Sequence, residues 1–425
     1  MAVQLRGVNG MHDVLPDTRV AQYRRSHHWT RLLNLFWRTA ETYDFDFVDT
    51  PEVEQLDLFV RGVGESSDIV SKEMYTWRQG ERDLCLRPEG SAAVARAVIM
   101  ADATHQGPLR VWYRMPMFRH ERPQFGRYRR HVQHGAEIIG VDGATADVEV
   151  IKLLLDYLGG AGLTGFSLHL NSIGDGVCRP AYVEELRSLL RPRAAEYCAD
   201  CQRRIEVNPL RVFDCKVPAD RERNAGLPRI VDRLCEPCAT HFSEVRAGLD
   251  AIGIGYVLDP ELVRGLDYYT RTAFEVILDE PVEQMATVTG GGRYDGLYEA
   301  LGGRPTAAVG FGAGVERLLL ALEHQGALPA ARPGPVAFVV ATDAELVREV
   351  YPVVDRLRSA GLATAYDQRH RRFPKAVGAA SDRGSRYAVL LAPKEWDAGE
   401  LVVKDLTTGE QRTVAATDIA KVLAG

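Results

Sequence analysis

Arginines crowd the stretch FRHERPQFGRYRR at 118–130, where Arg119, Arg122, Arg127 and Arg129 supply planar donor forks suited to phosphate and carboxylate. From Arg110 to Arg130 there are seven arginines and one acid, Glu121. A charge run of this kind can be no more than a solvated basic hairpin. Here, however, it is interleaved with Trp112, Tyr113, Phe118, Phe125 and Tyr128. Cations beside stacking surfaces suit a nucleotide or a nucleic acid.

Other segments carry compatible chemistry. In LRPEGSAAVARA (86–97), Glu89 follows a proline that holds the chain extended before a turn. Its carboxylate could receive a ligand ammonium or serve as a helix N-terminal charge. In LVRGLDYYTRTAFE (262–275), Arg264 precedes Asp267 and paired tyrosines. Tyr268 and Tyr269 point to opposite faces if the segment is extended, so one of them is expected to face a pocket and the other the core. In TGGGRYDGL (289–297), three successive glycines permit positive φ and leave backbone N–H groups open to a small ligand. The run is not a P-loop, because the following Lys-Ser/Thr is missing. In GFGAGVERLLLAL (310–322), Arg317 sits among apolar residues and needs an anion. An ion pair to Glu316 is the plain option and a bound phosphate the sharper one.

Seven cysteines are an odd count, and a disulfide framework is not expected. Cys198-x2-Cys201 and Cys235-x2-Cys238 have the spacing of a tetrahedral zinc site, which would be structural. Reduced cysteines in helix-rich loops are the alternative.

The elements that must position these groups read as follows. Residues 20–43 place Trp29, Leu32, Leu33 and Phe36 on one helical side. LRVWYRMPMFRHERP and RYRRHVQHGAEIIG form two strands of a hairpin around the arginine-rich loop, which favours antiparallel sheet. A helix is expected over about 144–158, with Thr145 as its cap. The stretch 176–255 is helical in period and interrupts two sheet-like segments, as an inserted module would. Residues 326–335 hold three prolines and read as a linker. Beyond them, strand and helix patterns alternate as in a small α/β domain. The predicted fold is an α+β core with a mixed, mostly antiparallel sheet over 1–325. It is interrupted by the 176–255 helical insertion and followed by an α/β domain at 336–425. A net charge of −6 argues against a generic polyanion coat but not against a local basic surface. No apolar run approaches the length of a membrane span, and a cytoplasmic location is the default expectation.

Taken in order, these segments resemble the three signature motifs of class II aminoacyl-tRNA synthetases. LVRGLDYY and GGGRYDG resemble those of the histidine-specific subgroup. RGVNGMHDVLP, LFVRGVGESSDIVSKEMYTW and AVGFGAGVERL extend the match, and the segment from Lys375 to Gln411 resembles that family's anticodon-binding domain. The resemblance implies a cytoplasmic homodimer that uses ATP and Mg²⁺ to activate L-histidine and then loads tRNA(His). Zinc at Cys198, Cys201, Cys235 and Cys238 is not implied for every family member.

Carried onto this chain, Arg119 resembles the motif 2 arginine that grips the α-phosphate and the amino-acid carboxylate. Arg317 resembles the motif 3 arginine on the γ-phosphate, and Arg127 lies where the family contacts ATP. Glu89 and Gln133 correspond to groups receiving the substrate ammonium, with Ser91 and Tyr268 in the same histidine site. Glu137 and Tyr269 correspond to those bonding the imidazole. Arg264 resembles the histidine-specific catalytic arginine, and Arg122 and Gln124 lie where the family meets the tRNA acceptor end. Ser91 stands where the family usually has Thr and keeps the hydroxyl. Met115 replaces a common Gly, and His131-Val132 a common Phe-His. His131 and His134 have no assigned role, and a surface position is the plain expectation for both. The competing reading is a synthetase-like regulatory subunit that senses histidine for an ATP phosphoribosyltransferase. Such proteins lack the anticodon domain and tend to lose the arginine motif, whereas this chain has both.

Overall fold

The computed structural model describes residues 5–16, 19–64, 67–329, 334–368 and 373–424. Of the linker expected at 326–335, residues 330–333 lie outside the described residues. The chain divides into two compact units, Met1–Leu328 and Pro329–Gly425.

The first unit is built on an eight-stranded sheet. Its strands run, edge to edge, Asp46–Phe47, Leu109–Phe118, Arg130–Ile139, Ala308–Gly314, Met285–Arg293, Thr270–Val282, Phe166–Ser172 and Val257–Leu258. The two outermost pairings are parallel and every pairing between them is antiparallel. Alternation along the strands separates two environments. Val132, Phe274, Val309 and Phe311 point to one face. There they meet helices Ser26–Thr42, Ala144–Ala161, Glu236–Ala251 and Val315–His324 through Leu32, Phe36, Leu154, Leu249 and Leu319. Each fully buried side chain of this kind stabilises the fold by about 1.5–3 kcal/mol. Tyr113, Met115 and Ala308 pack on the other face, beside Phe59 and Val94 from helices Leu56–Val63 and Ser91–Met100. That second face carries the polar site.

Two local expectations are corrected. Helix Ala144–Ala161 starts on Gly143, with no side-chain cap from Thr145. The aromatics around the arginine loop are not a shared stacking surface either. Trp112 and Tyr128 are buried in one core, with Phe125 packed against it, while Tyr113 belongs to the other.

Between Ser172 and Val257 the chain forms helices Arg179–Leu190, Ala199–Val207, Pro218–Asn224 and Glu236–Ala251. Tyr182, Leu186, Ile205, Val212 and Ile230 make a separate apolar cluster there. The C-terminal unit is a five-stranded sheet in the order Thr364–Tyr366, Ala337–Ala341, Tyr387–Leu391, Glu400–Asp405, Gln411–Ala415. Its first three strands are parallel and the last two antiparallel, with an apolar cluster on each face.

Candidate active site

The polar face of the central sheet is paved with glycine. Gly290, Gly292, Gly310 and Gly312 lie on neighbouring strands, with Gly290 opposite Gly312 and Gly292 opposite Gly310. A Cβ on Gly310 would fall 1.5 Å from Glu137 Oε2, and one on Gly290 would fall 2.5 Å from an Arg264 nitrogen. A Cβ on Gly292 would meet the Tyr269 ring at 2.9 Å, and one on Gly312 the Gln133 amide at 3.0 Å. None of Gly290, Gly291 and Gly292 has positive φ; all three are strand residues. The expectation of positive φ is therefore wrong. These glycines make room for functional side chains rather than bend the chain.

Over this floor is a cavity of about 290 Å³ lined by Arg119, Arg127, Gln133, Arg264 and Arg317, with Glu121 and Glu275. Arg119 donates to the Pro88 carbonyl at 3.0 Å. Arg264 pairs with Glu275, and its guanidinium lies 5.3 Å from the Tyr269 ring centroid. Arg317 donates to the carbonyls of Gly126 at 2.9 Å and Thr287 at 3.0 Å. It does not pair with Glu316, whose carboxylate instead accepts from the Val132 amide at 3.0 Å. Burial, with Arg127 and Arg119 close by, lowers the Arg317 pKa to about 10. This crowding of like charge would be relieved by an anion. Burial, with Arg119 and Arg317 close by, holds His131 neutral, its pKa lowered to about 3.

Beside the cavity lies a buried hydrogen-bonded layer. Glu89 accepts from the amides of Ser91 and Ala92, each at 2.8 Å, and from the Tyr268 hydroxyl at 3.2 Å. It thus opens helix Ser91–Met100 and also reaches the polar site, which joins the two readings of this residue. A carboxylate has about four acceptor positions, so three such bonds leave capacity for a ligand donor. Glu137 accepts from Ser91 Oγ at 2.8 Å, from Tyr294 at 2.5 Å and from Tyr113 at 3.3 Å. Burial raises its pKa to about 8, against the hydrogen bonds from Tyr294 and Ser91. Tyr268 and Tyr269 are both buried, with ring centroids 4.7 Å apart. They do not point to opposite faces, because Asp267 and Tyr268 form a turn instead of a strand.

The remaining candidates separate. Arg122 and Gln124 are exposed on the arginine-rich loop, and Gln124 lines a second cavity of about 670 Å³ that shares Arg127, Glu275 and Arg317 with the first. His134 is buried rather than on the surface, bonded through Nδ1 to the Tyr157 hydroxyl at 2.8 Å. The four paired cysteines do not meet: Cys198 and Cys201 gather with Cys215 and Asp220, and Cys235 and Cys238 with Asp175 and Cys178. A single site on Cys198, Cys201, Cys235 and Cys238 is thereby excluded. Each pair is completed by residues that no Cys-x2-Cys spacing reveals.

Sequence reasoning passed over Tyr113, Tyr294 and Glu275 as individual partners. Tyr294 could have been found from its place directly after the glycine run and Arg293. Arg293 itself is fully buried, ion-paired with Asp147 at 2.5 Å and bonded to the carbonyls of Val141 and Gly143.

Comparison with known proteins adds to this geometry. Residues 10–318 match the family model described as histidyl-tRNA synthetase, and 336–425 match an anticodon binding domain. A histidine–tRNA ligase of Anaeromyxobacter sp. (strain K) is 45% identical over 425 residues, covering 100% of both chains. The crystal structure of apo histidyl-tRNA synthetase of S. aureus superposes with a TM-score of 0.81 at 32% identity, over 99% of this chain and 100% of that one. An ATP phosphoribosyltransferase regulatory subunit/histidyl-tRNA synthetase from Bacillus halodurans C shares the fold, with a TM-score of 0.63 at 20% identity over 92% of this chain and 100% of that one.

Proposed function

This chain belongs to the histidyl-tRNA synthetase family, and we propose that the residues around the arginine-lined cavity divide the two steps of its reaction among them. It is a histidine–tRNA ligase, an aminoacyl-tRNA ligase that activates histidine with ATP and transfers it to tRNA. The observation that carries the assignment of roles is the convergence of Arg119, Arg264 and Arg317 on one cavity beside the Glu89–Glu137–tyrosine layer.

In the first step a histidine carboxylate oxygen bonds to the α-phosphorus of ATP as the bond to the bridging oxygen breaks, releasing pyrophosphate. In this reading Arg119 and Arg264 face the developing negative charge on the α-phosphate, and Arg127 and Arg317 hold the outer phosphates. Fixed cations at the reacting centre stabilise a transition state without reorganising when the charge moves. Glu89 and Gln133 receive the histidine ammonium. Glu137 and Tyr269, braced by Ser91 and Tyr268, pair the imidazole edge, so that an amino acid without ring nitrogens would leave buried groups unpaired. In the second step a terminal ribose hydroxyl of tRNA(His) attacks the activated carbonyl and AMP leaves. In this reading Arg122 and Gln124, both exposed on the arginine-rich loop, meet that acceptor end.

Of the three acidic side chains on the cavity wall, Glu316 is turned to the Val132 amide, which leaves Glu121 and Glu275 for a Mg²⁺ ion arriving with ATP, since Mg²⁺ is commonly held by one or two carboxylates plus substrate phosphates. Bound there, Mg²⁺ would neutralise phosphate charge. The reading includes a homodimer and a cytoplasmic location. No described helix is long and apolar enough to cross a membrane. The regulatory-subunit alternative is less well supported, since this chain keeps Arg264 and matches the anticodon-binding model over 336–425.

The test is Arg264→His. Histidine-dependent pyrophosphate exchange is expected to fall by at least about a hundredfold, the scale of losing one preorganised charge-stabilising group, with the circular dichroism spectrum unchanged. Near-normal exchange by the folded variant would remove Arg264 from the mechanism.

A further inference from the structure

Six of the seven cysteines gather in two groups, and the groups repeat one design. Cys198, Cys201, Cys215 and Asp220 form one, and Asp175, Cys178, Cys235 and Cys238 the other. In each, the candidate donor atoms all lie within 4.8 Å of one another, and among the described residues these are the two such groups. Each has a Cys-x2-Cys pair at a helix start, with Cys198 directly preceding helix Ala199–Val207 and Cys235 directly preceding helix Glu236–Ala251. A third cysteine and one aspartate complete each set.

The aspartates are held in the same way. Asp220 turns Oδ2 to Cys215 Sγ at 3.3 Å, while its Oδ1 faces Arg223 at 3.1 Å. Asp175 turns Oδ1 to Cys178 Sγ at 3.6 Å and Cys235 Sγ at 3.8 Å, while its Oδ2 faces Arg271 at 3.7 Å. One oxygen is thus aimed among the sulfurs and the other is fixed by a cation, as an outer partner fixes a ligating carboxylate. With Zn–S bonds of about 2.3 Å, a tetrahedron sets its sulfurs about 3.8 Å apart. The Cys198 and Cys215 sulfurs are 3.8 Å apart. That compact spacing suits one ion rather than an iron–sulfur cluster, whose several irons keep their thiolates farther apart. Sulfur-rich tetrahedral sets select zinc over magnesium or calcium.

We propose that this chain binds two zinc ions, one on Cys198, Cys201, Cys215 and Asp220 and one on Asp175, Cys178, Cys235 and Cys238. Four protein ligands leave no open position, so both sites are structural. The first closes a short local fold whose Asp214, Cys215 and Lys216 line the 670 Å³ cavity. The second joins the start of the helical segment to its last helix, between residues 60 positions apart. It also anchors Arg179, which donates to the Tyr269 carbonyl at 2.5 Å beside the tyrosine pair. A metal that binds only the folded chain adds its binding free energy to folding.

The test is metal content of the full-length chain, purified reduced and supplied with zinc sulfate, by plasma mass spectrometry. About two zinc ions per chain are expected, with about one in Cys201→Ser and about one in Cys238→Ser, each lost at its own site. X-ray absorption of the unmodified protein should show a sulfur-rich shell at about 2.3 Å with one lighter ligand, which needs no variant to fold. Stoichiometry of one zinc per chain or less, disulfides among these cysteines in the native protein, or an iron–sulfur spectrum would overturn the proposal. Metal content is read without any activity, so this result stands or falls apart from the assignment of catalytic roles.

Discussion

Arg317 spends its hydrogen bonds on two carbonyl oxygens while Arg127 and Arg119 press on its charge, and among the described residues no carboxylate is paired with it, Glu121 and Glu275 standing farther off on the cavity wall. Removing that charge in Arg317→Gln is expected to raise the KM for ATP about tenfold to a hundredfold, from the roughly 1.5–3 kcal/mol of a hydrogen bond to a charged group. The KM for histidine should change little, and steady-state exchange kinetics with each substrate varied separates the two. An equal rise in both would place Arg317 elsewhere. Glu137 makes a second prediction. Its pKa is 4.5 as an ordinary side chain and about 8 in the buried site. Between those values the unfolded chain carries the carboxylate and the folded chain the acid, so folding takes up a proton and stability falls as pH rises. Thermal midpoints measured across that window should decline less steeply in Glu137→Gln than in the parent. Parallel slopes would show that Glu137 is ionised throughout. An anion site at Arg119 and Arg317 could be expected from guanidinium chemistry alone and Arg264 from the family resemblance, and the three do line one cavity. The joint burial of Tyr268 and Tyr269 was not legible, because it depends on a turn that only the tertiary contacts specify.

The strands explain why the glycines cluster. On Ala308–Gly314, Val309, Phe311 and Ala313 face the helical core while Gly310, Gly312 and Gly314 alternate on the site face. The period of two was readable in GFGAG, but its meaning needed the cross-strand register that sets Gly310 against Glu137. A glycine run reads locally as conformational freedom, whereas the structure uses it as empty volume. Gly310→Ala is therefore expected to displace Glu137 and lower kcat/KM for histidine by about a hundredfold, the usual scale for misplacing a site group by an ångström. Unchanged histidine kinetics in that variant would contradict the packing argument. Arg293 works at the same scale, tying its strand to helix Ala144–Ala161 through Asp147, with neither side chain exposed. Arg293→Met would leave the buried Asp147 carboxylate with only the His241 ring, 3.4 Å away, and a loss of about 3–5 kcal/mol in denaturant unfolding is expected. A loss within 0.5 kcal/mol or so would mean that Asp147 finds another partner.

For the molecule as a whole, hydrophobic period and proline content were enough to anticipate a sheet-based core and a separate C-terminal sheet unit. The pairing of the cysteines escaped, because Cys215, Asp220, Asp175 and Cys178 are brought to their partners by the fold. The two compact units also suggest a division of labour. A chain ending at Leu328 should retain histidine-dependent exchange but charge tRNA at least about a hundredfold less efficiently, as when one of two linked contacts is lost. Undiminished charging would deny the C-terminal unit a role in tRNA recognition. The central claim, that the arginine-lined cavity activates histidine, is tested most directly by exchange of labelled pyrophosphate into ATP by the purified full-length protein, with each other amino acid as a control. Exchange with histidine alone is the predicted result. No exchange in folded protein that still binds histidine would contradict it and return the chain to the regulatory reading.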